Sequence, residues 1–186
     1  MGTTAAAALA AKRRTERDAA DPAGAVARNQ GRALASVILL ALWGGAALLV
    51  VTTVAPAAFR VLPTRALAGA LVGQVLPVVF VLGIVVGMAS VALAPRGAPR
   101  MLARRIGAFG TLFGCLMAQG IIAPKIAALR VLIGPDIEAL AATDPLRVAF
   151  GRLHGFSVLA LGVAMVFAMV ALVSAVLAIR DARTTD

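Results

Sequence analysis

Apolar residues run uninterrupted by charge through the central parts of four segments, approximately 33–59, 66–94, 106–123 and 148–179. Each is close to or above the ~20 residues that a helix needs to cross the hydrocarbon core of a bilayer. Backbone amides in lipid must be satisfied within their own segment, so such runs read as helices. The pattern predicts an all-α fold, a polytopic membrane four-helix bundle occupying residues 33–180 as one domain. A basic tail of residues 1–32 precedes it, and a short tail of residues 181–186 follows.

The residues between the runs set the connections. Asp21-Pro22 and Gly24 would break any long helix in the N-terminal tail, which reads as a mobile segment beside the inner leaflet. Pro56 would loosen the last turns of the first span, and Pro77 interrupts the second near mid-membrane. The turn from Arg60 to Arg65 is short enough to make the first two spans antiparallel neighbours, with Thr64 as a helix cap. A basic loop of residues 95–105 leads to the third span, whose helical pattern extends to Ile133 before Gly134-Pro135 stops it. Thr143-Asp144-Pro145 is a start signal for the fourth.

Charge then orients the bundle. Lys12, Arg13, Arg14, Arg17, Arg28, Arg32, Arg96, Arg100, Arg104, Arg105, Arg180 and Arg183 fall on one side of the spans. Arg60, Arg65, Lys125, Arg130, Arg147 and Arg152 fall on the other, half as many. The positive-inside rule therefore places both termini in the cytoplasm. The formal charge of +10 serves topology and anionic headgroups, and with few aromatics beside it no nucleic-acid partner is expected. Arginine far outnumbers lysine and alanine is abundant, as in chains from GC-rich bacterial genomes, so the expected location is a bacterial inner membrane. The first span reads as an uncleaved anchor. Arg13-Arg14 is followed by Thr15-Glu16-Arg17-Asp18 where a twin-arginine signal needs apolar residues. Cys115 is the single cysteine and lies inside the third span, which rules out an intramolecular disulfide.

Glycines recur four residues apart at Gly69/Gly73, Gly83/Gly87, Gly110/Gly114 and Gly151/Gly155. Those of the second span fall within roughly 40° of one line, which makes it the expected central packing helix. Such lines let backbones approach within the monomer, or form a seam to a second copy or a membrane complex.

Candidate chemistry gathers at the outer ends of the spans. Pro56, Phe59, Arg60, Arg65, Gln74, Gln119, Pro124, Lys125, Phe150, Arg152 and His154 all belong there. Proline-broken helix ends beside polar side chains expose carbonyls to a cavity. Gln74 and Gln119 would either bond across a helix interface or line a polar pocket. His154, the only histidine, could hold a metal or haem, move protons, or hydrogen-bond Ser157 or a carbonyl. Met165 and Met169 stand one turn apart, as soft ligands would, yet Met165 lies ~16 Å along the helix from His154. With Met88, Met117 and Cys115 they read more simply as packing. Asp136, Glu138 and Asp144 could balance Arg130, Arg147 and Arg152 at a hydrated rim. No metalloprotease motif, paired intramembrane carboxylate, phosphate loop or Ser/His/Asp set is present, so no enzyme is expected. The charge-free span interiors also speak against a proton-coupled pump.

Three segments carry a family resemblance: Ala55-Pro56-Ala57-Ala58-Phe59-Arg60 followed by Ala68-Gly69; Ala123-Pro124-Lys125-Ile126 with Leu129-Arg130; and Phe150-Gly151-Arg152-Leu153-His154-Gly155-Phe156-Ser157. Over residues 36–179 the chain resembles the bacterial domain-of-unknown-function group related to transmembrane protein 205, which is similar to the CopD-like copper-resistance membrane proteins. The resemblance implies a small four-helix membrane protein. The vertebrate relative is associated with tolerance of platinum drugs and the CopD-like proteins with copper handling, while the bacterial group itself has no settled activity. A second histidine, which a bis-histidine haem or a His-rich copper site would use, is lacking. The expectation is a non-enzymatic membrane protein with an outward-facing polar pocket, walled by Pro56, Pro124 and His154, that handles a small solute or metal or docks a partner. No cofactor is expected. A haem- or copper-binding redox subunit using His154, and a structural subunit using the glycine seam, are the alternatives.

Overall fold

A computed structural model describes residues 2–94, 100–134 and 137–184, without the side chains of residues 2–5, 14–15, 17–18 and 182–184. Arg96, Pro135 and Asp136 lie outside the described residues. All regular structure among them is helical. In order these are α1 (Gly2–Ala20), α2 (Pro22–Leu49), a π-turn (Val50–Val54), α3 (Ala55–Val61), α4 (Arg65–Leu93), α5 (Met101–Met117), a second π-turn (Ala118–Ile122), α6 (Ala123–Ile133), a 3-10 turn (Ile137–Ala139) and α7 (Pro145–Thr184). Four continuous stretches are long and apolar enough to cross a membrane: Pro22–Val61, Arg65–Leu93, Met101–Ile133 and Pro145–Asp181. The chain is a multi-pass membrane protein. Its helices outrun three of the apolar runs, because alanine and arginine in the flanks favour helix beyond the hydrocarbon.

The N-terminal segment departs from expectation. Asp21-Pro22 does interrupt the helix, but Gly24 does not. The Asp21 carboxylate accepts from the Gly24 amide at 2.9 Å, and Pro22 opens α2 where its missing N–H costs nothing. A side chain at Gly24 would run into that carboxylate, so the glycine fits the cap rather than breaking the helix.

α2 packs on α4 and α7, and α5 packs on the same two, giving a ring in which each span touches its sequence neighbours and α7 closes onto α2. Arg100 pairs with Asp181 across the end at which α5 starts and α7 finishes. The core centres on Leu40, Trp43, Phe80, Cys115 and Leu161, with the Trp43 indole N–H donating to the Val79 carbonyl at 2.9 Å.

The expected glycine pairs divide. A Cβ at Gly83 would stand 2.5 Å from Cys115 Sγ and 2.8 Å from Trp43, and at Gly87 2.8–2.9 Å from Leu112. Gly110 faces the Phe167 ring, and Gly114 faces Ala160 and Ala164. Gly69, Gly151 and Gly155 meet nothing within 4 Å, so the packing role expected of them is not exercised within the monomer. Gly107, outside the four-residue pattern, makes the closest backbone approach to Ala171 and Phe167.

The helix signals between spans act as read. Gly134 ends α6 at φ +80°, a conformation glycine adopts without strain. The Asp144 carboxylate accepts from Leu146 N at 2.8 Å. Thr64 Oγ1 accepts from Leu67 N at 3.2 Å. Thr64→Ala is expected to remove about 1 kcal/mol, read as a lower thermal midpoint of the solubilised protein. An unchanged midpoint would mean that water replaces the cap at no cost.

Candidate functional site

Two π-turns shape the end of the bundle that carries Arg60 and Arg130. Each is followed by Ala-Pro, at Ala55-Pro56 and Ala123-Pro124. Proline has no N–H to give, and a turn closed from i+5 re-pairs the ladder around it, as in the bonds Ala55 N to Val50 O and Ala123 N to Ala118 O. After the second π-turn the helix changes course. α5 packs along α4, whereas its continuation α6 leaves α4 and stays against α7.

The wedge left between α4, α6 and α7 is a cavity of about 840 Å³. Five of its 23 lining residues have polar side chains: Arg65, Gln119, Arg130, His154 and Ser157. The rest are apolar or glycine, so the space is oily with a few polar points. Pro77, in the wall, cannot donate to the Gly73 carbonyl four residues earlier, which also borders the cavity.

Arg130 is its charged centre. One guanidinium N–H donates to the Gly69 carbonyl at 2.9 Å, and the group lies over the Phe150 ring, 5.6 Å from the centroid. Gly73 gives it room, because a Cβ there would stand 2.9–3.0 Å from the two terminal nitrogens. Gly69 and Gly73 thus serve an arginine rather than a helix backbone. No described carboxylate pairs with Arg130. The balancing expected from the acidic residues goes elsewhere: Glu138 faces Arg65 at 3.9 Å, Asp144 caps α7, and Arg147 donates to the Leu140 carbonyl at 2.7 Å.

Of the eleven residues expected at the outer ends of the spans, Phe59, Arg65, Gln119, Pro124, Phe150 and His154 line this cavity. Pro56, Arg60, Gln74 and Arg152 are exposed and do not line it. Lys125 borders a shallower apolar groove on the outer face of α5 and α7, with Phe113, Met117 and Phe156. The two glutamines do not bond: Gln74 points outward, and Gln119 Oε1 is buried without a hydrogen-bond partner. The sulfur side chains do not converge either. Met88 and Met169 are exposed, Met165 packs against the core, and Cys115 is fully buried. Among the described residues no group of three His, Cys, Asp or Glu is placed to hold a metal ion.

Sequence reasoning did not place Arg130 in the pocket, although a signal was available. Ala57-Ala58-Phe59-Arg60-Val61-Leu62 and Ala127-Ala128-Leu129-Arg130-Val131-Leu132 are near repeats, each after an Ala-Pro. The repeat marks Arg60 and Arg130 as counterparts on the first and third spans.

A family profile described as "Domain of unknown function (DUF4149)" matches residues 38–134. The chain belongs to the DUF4149 family. The matched stretch holds both π-turns, both Ala-Pro steps and Arg130, and ends before the Phe150, His154 and Ser157 wall that α7 adds to this DUF4149 chain. No curated protein and no solved structure matches it.

Proposed function

We propose that this DUF4149 chain is a non-enzymatic, multi-pass protein of the bacterial inner membrane that binds a small solute in the Arg130–His154 cavity. Both termini lie in the cytoplasm and the cavity opens to the outer face. The observation that carries the reading is a guanidinium held in an apolar-walled cavity without a described carboxylate. A guanidinium with unused donors beside an apolar cavity is suited to meet a ligand. The excess of basic residues at the opposite end supports the orientation. Kinship with the transmembrane protein 205 and CopD-like group is part of this reading: each of the three resembling segments supplies cavity residues, Phe59 from the first, Pro124 and Arg130 from the second, Phe150, His154 and Ser157 from the third. An assembly partner would meet the exposed Gly151 and Gly155.

Ala127 lines the cavity and is exposed, which makes it a reporter. In a Cys115→Ala background, Ala127→Cys is expected to react with a membrane-impermeant maleimide added to intact cells. Reaction only in inverted vesicles would reverse the orientation. No reaction from either side, with the denatured protein fully reactive, would remove the water-accessible pocket.

A further inference from the structure

Resting on that reading, we infer that the cavity takes an amphiphilic anion, with its singly charged head on Arg130 and its apolar chain running inward along α4. Three observations lead there. Arg130 has five N–H donors, one spent on the Gly69 carbonyl, and among the described residues the cavity lining holds no acidic side chain. Arg65, the other cation of the lining, already faces Glu138. A planar fork of unused donors is suited to a carboxylate or phosphate oxygen pair, and a partner anion offsets the cost of charge in an apolar site.

The shape fits a chain behind the head. From Gly69, beside the guanidinium, the α4 wall continues through Leu76 to Phe80, eleven residues on, or about 16 Å at ~1.5 Å per residue. That is roughly half the ~30 Å hydrocarbon core. A small hydrophilic anion would leave this depth unfilled, and a neutral oil would leave Arg130 unpaired. Gln119, His154 and Ser157 also line the cavity, so a hydroxyl on the chain would add selectivity there.

Two sources share this chemistry: a free long-chain carboxylate, and an anionic phospholipid of the surrounding bilayer. The protein would be placed in phosphatidylcholine nanodiscs and titrated with a fluorescent anthroyloxy-palmitate and with its methyl ester. Native mass spectrometry of protein in mixed phosphatidylglycerol and phosphatidylcholine would run in parallel. The acid is expected to bind at least about tenfold more tightly than the ester, the gain of a charge-assisted contact. Arg130→Gln should erase that preference and Arg130→Lys should keep part of it. Ala127→Trp fills the cavity without removing a bond, and should weaken both probes even if Arg130→Gln fails to fold. Arg130-dependent retention of phosphatidylglycerol, with no preference for the free acid over its ester, would support the inference with a bilayer lipid as the source. Equal binding of acid and ester, unaffected by Arg130→Gln, with no phosphatidylglycerol preference, would overturn the anion assignment and leave the solute pocket standing. If neither probe, nor acetate, nor either lipid bound in an Ala127→Trp-sensitive way, the pocket reading would fall as well.

Discussion

Gly107→Val is expected to be the most damaging single substitution in the bundle. A Cβ at this position would stand 2.6 Å from the backbone nitrogen of Ala171 and 2.6 Å from the backbone oxygen of Phe167. Backbone atoms of a packed helix cannot swing aside as a side-chain tip can, so α5 and α7 must separate along their contact. Overpacking by single methylenes costs about 1–3 kcal/mol. Gly107→Ala should fall in that range and Gly107→Val beyond it. In lipid the loss is of dispersion and close backbone contact, since the surroundings are as apolar as the interior. Gly151→Ala makes the contrast: nothing lies within 4 Å of its Cβ, and replacing a mid-helix glycine favours helix by up to about 1 kcal/mol. Thermal midpoints in one detergent should order as Gly151→Ala at or above wild type, then Gly107→Ala, then Gly107→Val with little monodisperse protein. Equal midpoints for the two Gly107 variants and wild type would mean that α5 and α7 are not in this register.

Trp43→Ala should come next. The indole is 4% exposed, fills the space left open by Gly83, and donates to the Val79 carbonyl. Large-to-small aromatic truncations in cores cost about 3–5 kcal/mol. Here that figure is an upper limit, because lipid rather than water receives the helices when they part. Trp43→Phe keeps most of the volume and loses the hydrogen bond, so about 0.5–1.5 kcal/mol is expected. Because Trp43 is the only tryptophan, the wild-type emission should be blue-shifted and resistant to aqueous quenchers. Emission at the wavelength of free indole would contradict the burial outright.

Several elements were legible before any coordinates. The four spans follow from length and apolarity, and Thr64, Gly134 and Asp144 act locally through their own backbone or side-chain bonds. Other readings needed neighbours. Gly69 and Gly73 look like half of a helix-packing line, yet Gly73 makes room for an arginine from another span. Gln74 and Gln119 look like a pair, yet they face different directions.

The contrast between Arg60 and Arg130 states the boundary best. They stand in nearly the same hexapeptide, and one is exposed while the other is half-buried at the centre of a cavity. Apolar length and charge pattern already say that both segments are helical, that each follows an Ala-Pro step, and that both sit at one end of an antiparallel four-span bundle. These are properties of amide satisfaction and apolar length, which each segment settles alone. Which arginine turns inward is set by how the spans pack. Both arginines follow a π-turn, so its rotation of about 100° does not separate them; the divergence of α6 from α4 opens the space that Arg130 enters. That divergence depends on packing between spans, and no single span encodes it.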